Sequence, residues 1–260
     1  MTTLDARLRD VRTRRKALVP YFIGGLTADW TTYVSAAILA GADVIEVGVP
    51  FSDPMMDGPV IQAGALRALA NDVTLESICH DVSVASFEVP VVVMTYYNVL
   101  HHFGLARSAE LLAASGVAGV IVPDLAIEEL TPWREVATAA DVATVLMVAP
   151  SSPIDRVRRI GALTQGFVYA AARMAVTGRA ADVGDAERVV TSIRTVCDTP
   201  TYVGIGITTP DQASDAAALS DGVIVGSALV QQILDGASAQ GIEGSISTFR
   251  EALDRTAPEA

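Results

Sequence analysis

Lysine is almost missing from this sequence: Lys16 is the only one among 260 residues, so a Schiff-base mechanism has a single candidate amine. Cysteine is nearly as scarce. Cys79 and Cys197 lie far apart with no metal or redox spacing, and both are expected to be buried thiols in a reducing cytosol. The three histidines are His80 and the pair His101-His102. Adjacent side chains rarely converge on one ion and no carboxylate stands at chelating spacing, so they are expected on a surface loop, and no metal site is expected. No apolar run reaches the ~18 to 20 residues of a membrane span. Met1–Lys16 is polar and charged without an apolar leader core, so the expectation is a cytoplasmic chain with no membrane contact. A formal charge of −12 argues against nucleic acid as a partner. It does not exclude a small anion, which a few backbone amides can hold locally.

What the chain has in quantity is apolar side chains, 51% of the total against 18% charged, enough for a large core. Apolar, β-branched runs predict strands at Ala17–Ile23, Val44–Gly48, Pro90–Thr95, Gly119–Val122, Ala143–Val148, Phe167–Ala171, Thr201–Gly204 and Gly222–Val225. Amphipathic segments between them predict helices at Asp29–Ala40, Val60–Ala70, Leu75–Ser86, Ser108–Ser115, Glu128–Ala140, Ile154–Ala162, Asp185–Cys197 and Pro210–Leu219. Asp29, Ser152-Pro153 and Thr209-Pro210 supply helix start signals. Near-continuous apolar strands alternating with helices imply a parallel sheet covered on both faces. Eight such units in ~250 residues match a closed (β/α)8 TIM barrel. The turn after the first strand, Gly24-Gly25-Leu26-Thr27, lacks the G-x-G-x-x-G pattern of an open dinucleotide-binding sheet. Residues 1–260 are therefore expected to form a single α/β barrel domain, with an extra N-terminal helix at Leu4–Arg14 and a closing helix at Gly244–Leu253.

Barrel enzymes build their sites from the loops at the C-terminal ends of the strands. The most informative such exit is 43–59, where the run Val44-Ile45-Glu46-Val47 empties into a turn carrying Asp53 and Asp57. Side chains alternate along a strand, so if Ile45 and Val47 pack outward on helices, Glu46 points into the barrel. A carboxyl there is desolvated and holds its proton nearer to neutral pH. A structural ion pair with an arginine from a neighbouring strand would use the same position. Other exits carry Tyr96, Tyr97 and Asn98; Asp124; Ser151 and Ser152; and Arg173 to Gly178.

Three further exits are glycine-bearing turns: Val176-Thr177-Gly178, Gly204-Ile205-Gly206 and Val225-Gly226-Ser227. Glycine lets backbone N–H groups approach an anion, and Ser227 opens a helix whose positive end faces the same region. Phosphate sites after strands seven and eight recur in this fold, so a phosphorylated substrate is expected. Lys16, before the first strand, stands at the opposite end of the barrel, and neither cysteine follows a strand end. What remains is carboxylate acid–base chemistry on a phosphate ester.

The segment Val-Ile-Glu46-Val-Gly-Val-Pro50-Phe-Ser-Asp53-Pro-Met-Met-Asp57-Gly-Pro59 closely resembles the signature of the tryptophan synthase alpha chain family. Met94-Thr-Tyr96-Tyr-Asn98, Gly119-Val-Ile-Val-Pro123-Asp124-Leu125 and Val148-Ala-Pro150-Ser-Ser-Pro153 are similar to its later strand motifs. So are Val176-Thr177-Gly178, Gly204-Ile-Gly206-Ile-Thr-Thr-Pro210 and Gly222-Val-Ile-Val-Gly226-Ser227-Ala228. The resemblance implies reversible retro-aldol cleavage of indole-3-glycerol phosphate to indole and D-glyceraldehyde 3-phosphate. By that resemblance Glu46 is the acid–base group and Asp57 accepts a hydrogen bond from the indole N–H. Tyr96, Tyr169, Thr177, Gly178, Gly206, Gly226 and Ser227 are the candidate substrate-binding residues. It also implies a pyridoxal-phosphate beta chain as partner, in an alpha2beta2 complex, while this chain itself holds no cofactor.

Ala175, Val99, Ala126 and Leu26-Thr27 depart from the commoner family pattern; all are expected in loops and none is at an acid–base position. A free-standing indole-3-glycerol phosphate lyase would keep every catalytic residue and stays open. A catalytically silent activating barrel would have lost Glu46 or Asp57. Another phosphate-binding barrel would not carry the Glu46-to-Pro59 segment.

Overall fold

The structure is a computed structural model that describes residues 3–171, 183–204 and 206–256. Eight parallel strands close into a barrel in sequence order. They are β1 (Ala17–Ile23), β2 (Ile45–Gly48), β3 (Val91–Met94), β4 (Val117–Ile121), β5 (Ala143–Val148), β6 (Val168–Ala171), β7 (Thr201–Gly204) and β8 (Gly222–Val225). β1 pairs with both β2 and β8, which completes the ring. The expected TIM barrel is thus observed, and β1, β5, β7 and β8 have the expected limits. β2, β3 and β6 are shorter than expected: Val44, both Pro90 and Thr95, and Phe167 fall outside the strands. β4 begins two residues earlier, at Val117, where a register irregularity opens its pairing with β3.

Two apolar layers share each strand. Ile45, Val47, Val91 and Val93 join the core between barrel and helices. Their neighbours in sequence, Val44 and Val92, join Val19, Ile121, Val145, Tyr169, Tyr202 and Ile224 inside the barrel. This is the period-two alternation of strands read on a closed sheet. The N-terminal helix Thr3–Arg14 puts Leu4, Leu8 and Val11 into the same inner cluster. Asp5 accepts the N–H of Gly166 at 2.6 Å, and Arg12 pairs with Asp221 at 3.2 Å, so the helix closes the N-terminal mouth. Lys16 donates to the Ser220 carbonyl at that end, remote from the strand exits.

The outer helices largely follow the amphipathic pattern, and Pro210–Leu219 begins at a capping box between Thr209 and Gln212. Asp29 stands at the start of Trp30–Leu39, but its side chain makes no capping bond. Expected Glu128–Ala140 divides into a 3-10 turn, Ile127–Glu129, and a helix, Thr131–Ala139, with Pro132 in its first turn. Expected Ser108–Ser115 begins earlier, at Leu105, and a further helix, Tyr97–Phe103, precedes it. His101 and His102 lie exposed on that helix, not on a loop, and His80 is exposed on Leu75–Ala85. Cys79 is buried as expected, whereas Cys197 is only partly buried, packed against Gly161 just past the helix Val183–Arg194. The C-terminal helix runs from Ala239 to Asp254, and a separate helix, Ser227–Leu234, follows β8. Among the described residues no helix is long and apolar enough to cross a membrane.

Candidate active site

Glu46 sits on the inner face of β2, beside Tyr21 of β1 and Val92 of β3 in register. Glu46 is 1% exposed, and its Oε2 is buried with no hydrogen-bond partner among the described residues. No arginine of the described residues pairs with it, so the ion-pair role left open for this position is not adopted. Burial pushes the Glu46 carboxyl up to about 8, which keeps it protonated at neutral pH.

A cavity, open at its mouth, lies over Glu46 at the C-terminal end of the barrel. Asp57, Tyr169, Gly206, Gly226 and Ser227 line it together with Glu46. Of the three carboxylates around β2, only two meet there. Asp53 is exposed and accepts from the Ser52 hydroxyl at 2.6 Å. Asp57 is partly buried, and burial raises its carboxyl, while the Tyr96 hydroxyl opposes that rise by favouring the charged form. Two carboxyls in one cavity with different surroundings are suited to different tasks, one holding a proton and the other a negative charge.

Tyr96, a candidate substrate-binding residue, is not among the residues that line this cavity, but its hydroxyl reaches the loop that carries Met56 and Asp57. It is 5% exposed, its ring stacks on Phe51 at 5.0 Å, and its hydroxyl accepts the Met56 N–H at 3.0 Å. Asp124, another strand-exit carboxylate, accepts the Tyr97 N–H at 2.9 Å and so holds the first turn of Tyr97–Phe103. Thr177 and Gly178 lie outside the described residues.

On the opposite wall, Gly206 has a φ of +76°, a left-handed conformation that suits glycine. Gly226 occupies the cap position of Ser227–Leu234, and the cavity meets both Gly226 and Ser227 there. The tyrosines need glycine neighbours. A Cβ on Gly204 would fall 2.5 Å from Tyr169 Cζ, and one on Gly48 would fall 2.6 Å from Tyr21 Cζ. Small residues at the strand exits therefore leave room for two phenol rings inside the barrel.

Tyr21, Met56, Ile61, Met94, Met147 and Ile224 also line the cavity. Sequence reasoning passed over them because apolar residues in strands, in a helix (Ile61) or in a loop (Met56) resemble core or surface. Tyr21 carried one usable signal, a hydroxyl in an otherwise apolar strand at the inward phase shared by Ala17 and Val19.

Comparison with known proteins points the same way. A family model described as tryptophan synthase alpha chain matches residues 8–256. The tryptophan synthase alpha chain of Microcystis aeruginosa is 40% identical over 97% of this chain and 98% of its own length. That of Streptomyces coelicolor is 45% identical over 86% of this chain and 83% of its own. Among solved structures, Mycobacterium tuberculosis tryptophan synthase superposes with a TM-score of 0.87 at 34% identity, covering 97% of this chain and 98% of that one. Subunit alpha from Legionella pneumophila gives a TM-score of 0.90 at 29% identity over 98% and 99%. With a family model spanning nearly its whole length, the chain belongs to the tryptophan synthase alpha chain family, lyases that cleave indole-3-glycerol phosphate.

Proposed function

We propose that Glu46 and Asp57 carry out the retro-aldol cleavage of indole-3-glycerol phosphate to indole and D-glyceraldehyde 3-phosphate in this chain. The observation that carries the assignment is the buried Glu46 carboxyl, whose Oε2 has no hydrogen-bond partner among the described residues, in a cavity shared with Asp57. Glu46 gives its proton to indole C3, which turns the ring into an indolenine with an iminium acceptor. The resulting Glu46 carboxylate takes the proton of the glycerol hydroxyl next to the scissile bond. The oxygen's electrons form the aldehyde, and the carbon–carbon bond electrons flow into the iminium and restore indole. Glu46 ends protonated, and C3 keeps the proton it received. Asp57 accepts a hydrogen bond from the indole N–H and offsets its positive charge. The electron sink is internal to the substrate, so a lysine Schiff base is not needed.

Gly206, Gly226 and Ser227, joined by Thr177 and Gly178, hold the phosphate in this reading, and Tyr169 packs against the substrate. Backbone N–H groups and the start of Ser227–Leu234 supply fixed dipoles for it. The family and the likeness over the full chain support a place in L-tryptophan biosynthesis, in the cytoplasm. They equally support a beta chain as partner in an alpha2beta2 complex, passing indole onward. Met55 and Met56, 72% and 52% exposed on the loop that carries Asp57, offer apolar surface for such a contact.

Steady-state indole release from indole-3-glycerol phosphate, with and without a beta chain, tests both parts. Indole formed alone and faster with the partner is the expected result. No indole under either condition would remove the activity, and a rate indifferent to the partner would leave a free-standing lyase.

A further inference from the structure

The cavity contains a hydroxyl that the reaction as described does not use. Tyr21 lies on β1 directly beside Glu46 in register, and both line the cavity. Its ring leans along the barrel toward the strand exits: the space beside Gly48, two residues beyond Glu46, is filled by the Tyr21 hydroxyl end. The base of the same ring lies 3.4 to 3.6 Å from where a Gly226 Cβ would stand. Tyr21 therefore spans the cavity wall from the glycine turn after β8 to the carboxyl side. Glu46 and Asp57 are the carboxyl groups that act on Tyr21 among the described residues, with Tyr169 and Tyr96 the other titratable neighbours. Glu46 itself is faced by Tyr21 and Tyr169.

We propose that Tyr21 is a positioning residue for Glu46, its hydroxyl donating to the unpartnered carboxyl oxygen whenever Glu46 is ionised and so aiming the other oxygen at the substrate. Three observations carry this: register adjacency, a glycine that makes room for the phenol tip, and a buried acceptor without a donor. In the resting state Glu46 is protonated and needs no donor; after it has given up its proton, a buried carboxylate without a hydrogen bond would be costly. A phenol is suited to the task because burial and the two carboxyls hold its own proton firmly. It can donate without becoming a competing acid.

The inference rests on the assignment of Glu46 above, and Tyr21→Phe in the full-length chain separates the two. The ring and its packing remain, so melting temperature should stay close to wild type. Turnover of indole-3-glycerol phosphate is expected to fall about 10- to 100-fold, the loss of one hydrogen bond to a charged group. KM should change less than twofold. The ionisation that governs kcat should move to higher pH by about half a unit or more, because the carboxylate form has lost a donor. An unchanged kcat and pH profile, or a rise in KM alone, would overturn the proposal. A wild-type chain that releases no indole would instead overturn the assignment on which it rests.

Discussion

The hydroxyl of Tyr96 accepts the backbone N–H of Met56 at 3.0 Å, which ties the loop after β2 to the end of β3 one residue before Asp57. The same hydroxyl favours the charged form of Asp57. Tyr96 thus orders the loop and tunes the carboxylate it delivers.

Tyr96→Phe should leave the fold intact, since the ring stays stacked on Phe51. It deletes one hydrogen bond and a group that favours the charged form of Asp57. A fall in kcat/KM of about 5- to 10-fold is expected from a loss of ~1 kcal/mol or a little more. Steady-state kinetics checks it, and wild-type values would show that the loop needs no tether.

Glu46→Gln should lower turnover by at least ~10²-fold, the ordinary contribution of one acid–base group. Binding of a substrate analogue, followed by calorimetry, should stay near wild type because the amide keeps the shape. A variant retaining more than about a tenth of wild-type turnover would move the acid–base role elsewhere.

Glu46 should also leave a mark on stability. Its folded carboxyl titrates at about 8, against an unfolded value of 4.5. Below the unfolded value the group is protonated in both states and carries no penalty. Between the two values the folded chain holds a proton that the unfolded chain has released, so stability falls as pH rises. The loss is complete above the folded value and amounts to at most about 5 kcal/mol. Glu46→Gln lacks this titration, so its melting temperature should gain on wild type steadily from pH 5 to ~8.5. A constant offset across that range would mean that Glu46 is not desolvated in the folded chain.

Asp57→Asn should be severely impaired in kcat, because an amide stabilises a developing cation less well than a carboxylate. Rates close to wild type would pass the role to another group on the cavity wall.

The phosphate cup is best probed at Gly226. A side chain at Gly206 would meet backbone strain at its φ of +76°, which confuses local stability with binding. Gly226 has a φ of −118°, and an added Cβ would have ordinary contacts with Tyr21. Gly226→Ala should raise KM for indole-3-glycerol phosphate several-fold and leave cleavage of the dephosphorylated analogue little changed. Equal losses on both substrates would assign that glycine to the fold.

The barrel was legible because its determinants are local and repeated: eight apolar runs separated by helix-forming segments with start signals such as Thr209-Pro210. Glu46 was legible for a related reason. Strand alternation puts it opposite Ile45 and Val47, and those two do pack in the outer core. The helix Tyr97–Phe103 was not, since it is seven residues long and its first turn is held by Asp124 from the next strand exit. Asp53 and Asp57 look alike in sequence; the path of one loop leaves the first in solvent and brings the second into the cavity.

By itself the sequence determined the fold class, the inward phase of Glu46 and the chemistry that one distant lysine leaves available. Periodicity and composition encode these, and no long-range distance is needed to read them. Only the tertiary structure decided that Tyr21 faces the site, that Tyr96 tethers the loop carrying Asp57 and that Glu46 Oε2 has no hydrogen-bond partner among the described residues. Those facts depend on which strands become neighbours, on how far a ring can lean over a glycine, and on how much water the closed barrel excludes.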